Sequence, residues 1–215
     1  MCLYFMTLKL NKKIGLIKQR LSENLPGFGS QKKMAVIKVN KLIELAFKVP
    51  SNPKPSAVSI VLFPYKDDIG FFLTERTHTV DHHKGQISLP GGAQDKNETL
   101  METSLRETKE EIGVDDDLEL VGTLSSLYTP VSDFLIHPYV WYADSIPETT
   151  LNNNEVSNIF TIPLNDLLDN QIVGTMPKQI KGVNMNVPCF HFNNCDCWGA
   201  TAMILSELKD CLLSI

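Results

Sequence analysis

PGGAQDKNETLMETSLRETKEEIGV, residues Pro90 to Val114, encodes a loop and a helix whose two ends are marked by their own residues. Thr99 followed three positions on by Glu102 makes a capping box, so a helix is predicted to begin at Thr99. Gly113 suits the left-handed position just past its C-terminus. At about 100° per residue, Met101, Leu105, Thr108 and Ile112 fall on one narrow face, which is predicted to pack on a sheet. Glu107, Glu110 and Glu111 share a different face. Like charges at that spacing destabilise an isolated helix. Left alone, they would be read as a solvated acidic surface. Their surroundings favour another reading. Pro90-Gly91-Gly92 is a permissive backbone that could turn a carbonyl toward the carboxylates. Glu98 precedes the cap, and Arg106 supplies a cation to hold it. Hard oxygen donors in this number suit Mg²⁺ or Mn²⁺.

The segment resembles the Nudix box: Gly, five residues, Glu, seven residues, Arg-Glu, an apolar residue, any residue, Glu-Glu, any residue, Gly and an apolar residue. Gly92, Glu98, Arg106, Glu107, Glu110, Glu111, Gly113 and Val114 match, and Thr108 at an apolar position is the one departure. The resemblance implies an α/β fold of α+β type, an α/β/α sandwich around a mixed sheet. It also implies a Mg²⁺- or Mn²⁺-dependent hydrolase of a diphosphate bond in a nucleotide derivative. Glu107, Glu110 and Glu111 would be the metal ligands, joined by the Gly92 carbonyl, with Glu98 and Arg106 supporting them. The general base of such enzymes sometimes lies outside the box. Glu155, in the loop NNNEVSN, is the outside candidate.

Upstream, FLTERTHTVDHHKGQISLPGG resembles the coenzyme A pyrophosphatase branch of the same family through Leu73, Thr74, Arg76, Gly85, Pro90, Gly91 and Gly92. WGATAMIL, Trp198 to Leu205, is similar to that branch too. The expected products are then 3′,5′-ADP and 4′-phosphopantetheine, with Arg76, Lys84, Gly85 and Gln86 binding substrate. The departures are Asp81 for Arg, Thr77 for Ser or Ala, Leu89 for Phe and Phe72 for Leu. Asp81 removes a cation from beside a phosphate-rich substrate, where charge-assisted contacts are strong. His82, His83 and Lys84 stand near enough in sequence to compensate. ADP-ribose and dinucleoside polyphosphates are the alternative substrates. A silent nucleotide-binding regulatory module is the alternative of another class, against which every box carboxylate is present.

The remaining residues bound the rest. A chain of 215 residues with 43% hydrophobic and 21% charged residues has the composition of a globular protein with one good-sized core. The net charge of −5, with no long basic stripe, argues against a nucleic-acid grip. Apolar runs fall short of the ~20 residues of a membrane helix. Cys2, Cys189, Cys195, Cys197 and Cys211 are odd in number, and the apolar Met1–Leu8 has its lysines on the wrong side for a signal peptide. Reduced thiols and a cytoplasmic location are expected, with either Met1 or Met6 as the start. His191, Cys195 and Cys197 lie close in sequence, but Cys-x-Cys is not a usual zinc spacing, and loop or buried thiols are the simpler reading.

Residues 1–54 are expected to form an N-terminal helical extension, with a stripe of Leu10, Ile14, Ile17 and Leu21 and a second helix over Val39–Phe47. Residues 55–215 are expected to form the Nudix domain. In it, Ala57–Phe63 and Ile69–Thr74 should pair as a hairpin, followed beyond the box by strands near Leu118–Leu127 and Ile136–Tyr142. A short helix at Pro163–Leu168, strands near Ile180 and Val187–Phe192, and a helix over Ala200–Leu213 complete the prediction. The sequence leaves a homodimer open.

Overall fold

The computed structural model describes residues 2–37, 44–77, 85–115, 117–180 and 182–215, with side chains from Leu8 onward. Helix α1 (Cys2–Leu21) leads through a single turn of helix, α2 (Phe28–Gln31), into the central sheet. Strands β1 (Lys54–Tyr65) and β2 (Asp68–Arg76) form the expected hairpin, with Lys66 in the left-handed conformation at the turn. Short strands β3 (Ile87–Ser88) and β4 (Gly91–Ala93) precede α3 (Leu100–Ile112). Then come β5 (Glu119–Thr123), β6 (Leu127–Thr129), β7 (Phe134–Tyr142), β8 (Val156–Pro163), α4 (Leu164–Leu168), β9 (Val173–Ile180), β10 (Val183–Phe192), β11 (Cys195–Trp198) and α5 (Gly199–Leu212).

The main sheet is mixed. Its path runs β3-β2-β1-β7-β5, with β4 on β1, β6 on β7 and β8 on β2, and β1 and β7 are parallel. The period-2 alternation of β1 and β2 gives the sheet two apolar faces. Ile60, Leu62, Phe71 and Leu73 enter the larger core with residues of α1, α4 and α5, whereas Val61, Phe63 and Phe72 meet Ile112 and Val114 at the end of α3. This is the expected α/β/α sandwich. A second sheet, β11-β10-β9, packs beside it through Phe190 and Phe192.

Several local expectations change. The strand anticipated over Leu118–Leu127 is two strands, β5 and β6, separated by Leu124-Ser125-Ser126. Strands β8 and β11 were not anticipated, because asparagines and cysteines mask their alternation. The helix expected over Val39–Phe47 falls mostly outside the described residues, and Leu45–Phe47 is a 3₁₀ turn. Met101 is exposed and Leu105 only partly buried; the packed side of α3 is instead Thr103, Ser104, Thr108, Glu111 and Ile112. Small residues win there because helix and strand are joined by hydrogen bonds. The Ser59 hydroxyl donates to the Ser104 carbonyl at 2.8 Å, and the Trp141 indole donates to the Ser104 hydroxyl at 3.3 Å.

The predicted stripe of α1 is buried in the larger core, Ile17 fully so. Removing its side chain leaves a cavity against the sheet's partners. Ile17→Ala is therefore expected to destabilise the whole fold by about 2–5 kcal/mol in a single unfolding transition. Denaturant titration followed by circular dichroism checks this. A separate early transition, with the main midpoint unmoved, would make residues 1–54 an independent unit instead.

Candidate active site

Helix α3 begins as the sequence predicts. The Thr99 side chain accepts from the Glu102 amide, and the Glu102 carboxylate accepts from the Thr99 amide at 2.7 Å. A cap of this kind is worth about 1 kcal/mol. Gly113 ends the helix with φ 73°, where its amide bonds the Lys109 carbonyl. Between these ends, the box residues face the turn from β3 into β4. Strand β4 pairs antiparallel with β1, and the Ser59 amide donates to the Pro90 carbonyl at 2.8 Å. Gly91 holds φ 154°, and a Cβ there would run into the Ala57 carbonyl and Val58. At Gly92 a Cβ would come within 2.5 Å of the Glu107 carboxylate. The absent side chains are what let this backbone reach the helix.

Arg106 is the cation among these acids. Its guanidinium donates to Glu98 at 2.9 and 3.0 Å, to Glu107 at 2.9 Å, to Glu110 at 2.9 Å and to the Ala93 carbonyl at 3.2 Å. Arg106, with the Asp95 amide and the Thr103 hydroxyl, holds the Glu98 carboxyl down at about 2. Glu107 goes the other way, because burial raises its pKa more than Arg106 lowers it. Glu111 is only 2% exposed and meets the Gly91 amide at 3.3 Å and Arg76 at 3.5 Å. Burial pushes its pKa up to about 8, opposed by Arg76 and reinforced by the charges of Glu107 and Glu155. Glu155 therefore shares the field of the cluster, from a loop tied to α3 by the Asn152 amide on the Glu111 carbonyl at 3.1 Å.

A cavity of about 490 Å³ opens beside Gly91 and Gly92. Arg76, Gln86 and Ser88 line one side, Phe134 and Ile136 another, and the first turn of α5 closes it. Gly85, next to Gln86 in the chain, sits in a left-handed turn, its amide on the Arg76 carbonyl at 3.0 Å. Asp81, His82, His83 and Lys84 lie outside the described residues.

The NUDIX domain matches residues 53–181. The chain belongs to the Nudix family. Nudix hydrolase 3 of Caenorhabditis elegans is 36% identical over 122 residues, 55% of this chain and 50% of that protein, so the match spans about half of that relative's length. The "Uncharacterized Nudix hydrolase NudL" of Photorhabdus laumondii is 29% identical over 174 residues, covering 75% of this chain and 91% of that one. A MutT/nudix family protein from Enterococcus faecalis shares the fold, with a TM-score of 0.53 over 86% of this chain and 74% of its own, at 15% identity.

This Nudix chain thus brings together Gly92, Glu98, Arg106, Glu107, Glu110, Glu111, Arg76, Gln86 and Glu155, while Lys84 has no described position. Among the described residues, no three His, Cys, Asp or Glu side chains converge on a ready-made coordination sphere. The reason lies in the ion pairs: Arg106 draws Glu107 and Glu110 together, and Glu111 turns to Gly91 and Arg76. His191 and the cysteines Cys195 and Cys197 also diverge, since the β10–β11 register puts His191 opposite Asp196 and the two thiols opposite Phe192 and Phe190. Sequence reasoning missed Ser56, Thr129, Ser132 and Phe134 of the cavity wall, which carry no motif. Ala200, Thr201 and Ile204 were signalled by WGATAMIL.

Glu98 links this site to pH. Its folded pKa of about 2 lies below the reference of 4.5, so its contribution to stability is present above about 4.5 and lost as pH falls toward 2. Glu98→Gln should make stability fall less steeply across that window than in the parent protein. Denaturation midpoints measured at stepped pH check this, and identical slopes would rule out the assigned ion pair.

Proposed function

We propose that this protein hydrolyses the diphosphate bond of a nucleotide derivative with the help of Mg²⁺ or Mn²⁺, and that its substrates are coenzyme A and its derivatives. The observation that carries the hydrolase reading is the box on α3, where Glu107 packs against Gly92 and Glu111 meets Gly91 and Arg76, three residues that line the cavity. Coenzyme A is supported by the residues from Leu73 to Gly92 and by Trp198 to Leu205.

The donor set fits a hard divalent cation. Glu107, Glu110, Glu111 and the Gly92 carbonyl offer only oxygen, and two of the carboxylates are buried enough to be pushed toward their neutral forms. Opposite charge would reverse that push. The missing Cβ at Gly92 leaves the Glu107 carboxylate its place. These four residues would hold the cation, which supplies charge to polarise phosphate oxygens and to acidify a water. Glu98 and Arg106 hold the carboxylates in register, because Arg106 reaches Glu98, Glu107 and Glu110 at once. Glu155, whose charge reaches Glu107 and Glu111, would take the water's proton. Arg76, with Gly85, Gln86 and Lys84, would bind the diphosphate, and the guanidinium of Arg76 suits phosphate oxygens through paired hydrogen bonds.

Two experiments test the reading. Chromatography of coenzyme A, ADP-ribose and diadenosine polyphosphates after incubation with Mg²⁺ or Mn²⁺ should show 3′,5′-ADP and 4′-phosphopantetheine. Brisk ADP-ribose cleavage with coenzyme A intact would remove the coenzyme A assignment and leave the hydrolase standing. Glu107→Gln and Glu111→Gln should each lower turnover by at least ~10²-fold at saturating metal. Near-normal rates in both would disprove the placement of the active site.

Gly92→Ala makes a separate demand on the cation site. Its added Cβ must displace the Glu107 carboxylate, so Mn²⁺ should bind at least about tenfold more weakly. Electron paramagnetic resonance of free Mn²⁺ reads this without any substrate, and unchanged affinity would exclude Glu107 and Gly92 as neighbours in the site.

A further inference from the structure

We propose that the outer face of α1 is a docking surface for an anionic phospholipid membrane, on which the protein lies without spanning it. The charge of the chain is divided unevenly. Residues 1–54 hold eleven basic residues against two acidic ones, a net +9, whereas residues 55–215 hold nine against twenty-three, a net −14. The overall charge of −5 conceals this division. A negative surface attracts the first part and repels the second, so it turns the protein with its N-terminal region inward.

Helix α1 gives part of that charge a place. Its Leu10, Ile14, Ile17 and Leu21 are buried in the larger core, and at about 100° per residue Leu8, Lys9, Lys12 and Leu16 fall on the arc opposite them. All four are exposed, Leu8 at 49% and Leu16 at 42%. Four other lysines of the N-terminal region already meet acids: Lys13 meets Asp68, Lys18 meets Glu119, Lys32 meets Glu44 and Lys33 meets Asp210. Among the described residues, Lys9 and Lys12 have no acidic partner, and their charge is turned to the surroundings. Beside Leu16, a groove of about 600 Å³ carries the apolar strip across to the exposed Ile215.

A bilayer interface answers both halves of this face. The lysine ammonium groups meet anionic headgroups, while their methylene stems and the leucines enter the boundary of the acyl chains. A nucleic acid would answer the charge alone and leave Leu8 and Leu16 in water. The sequence just ahead of the face, Leu3-Tyr4-Phe5-Met6, is apolar throughout, which also suits lipid better than phosphate. Among the described residues no helix is long and apolar enough to cross a membrane, so the contact is with its surface. Helix α1 packs on one side of the main sheet and the end of α3 on the other. Lying on α1 therefore keeps the carboxylate cluster turned away from the lipid.

The test sediments the full chain with vesicles of phosphatidylcholine alone and with vesicles of phosphatidylcholine and phosphatidylserine mixed three parts to one. Binding is expected to the mixed vesicles and should weaken as salt is added, because exposed charges are screened beyond about 8 Å at physiological ionic strength. Each lysine at an anionic surface strengthens binding about fivefold, so Lys9→Gln combined with Lys12→Gln should lower the partition at least about tenfold. Leu8→Gln combined with Leu16→Gln should lower it severalfold through lost apolar burial. All four positions are exposed, so these variants keep the fold, which circular dichroism verifies. Equal recovery with the two vesicle compositions, or a lysine variant that partitions like the parent protein, overturns the proposal. So does tighter retention by a single-stranded RNA oligonucleotide that the leucine variant leaves unchanged, which would give the face to nucleic acid. None of these readouts depends on diphosphate hydrolysis.

Discussion

A strip of backbone without side chains, Gly91-Gly92, is wedged between β1 and α3, and the geometry of the candidate site follows from that fit. Strand β4 can pair with β1 because Gly91 adopts a positive φ and leaves the Ala57 carbonyl uncovered. The helix can approach because its inner side is Ser104 and Thr108, whose hydroxyls donate to the Met101 and Ser104 carbonyls of the helix itself. Larger apolar residues on that side would have moved α3 outward and carried Glu107 and Glu111 away from the loop. Packing density and the carboxylate cluster are thus one constraint.

On the opposite face of the sheet the constraint is different. Helix α5 is buried along nearly its whole length and is fixed by polar contacts as well as by its apolar stripe. The fully buried Glu207 accepts from the Gly27 amide at 3.0 Å and from the Gln31 side chain at 2.8 Å, tying α5 to the segment after α1. Lys209 donates to the Leu167 and Asp169 carbonyls at 2.7 Å, closing the exposed end of α4. Buried charges are tolerated when hydrogen bonds replace water. Because α5 is held so firmly, its first turn makes a rigid wall for the cavity next to Gly92. The N-terminal helix, through its share of the core, takes part in holding that wall.

Local chemistry made much of this legible from the chain alone. The capping box at Thr99, the stop at Gly113, the β1–β2 hairpin and the α1 stripe each depend on residues within a few positions of one another, and each is where the pattern put it. The acidic face of α3 is likewise a matter of helical spacing. What misled was polarity standing for exposure. Asn152 to Asn158 reads as loop, yet β8 starts at Val156 because the open edge of β2 supplies backbone partners. Met101 reads as core, yet the packed side of the helix is taken up by smaller residues, of which Ser104 hydrogen-bonds to the sheet.

By itself, then, the sequence determined which carboxylates would share a helix, where that helix starts and stops, and which family the chain belongs to. These follow from short-range rules of capping, period and spacing. Only the tertiary structure decided that Glu111 would be buried against Arg76, that Glu155 would share its field, and that Phe134 and Thr201 would line one cavity. It alone set His191 opposite Asp196 across β10 and β11, because strand register is fixed by the packing of whole sheets. Contacts between residues distant in the chain depend on that collective packing, and no local stretch of sequence encodes it.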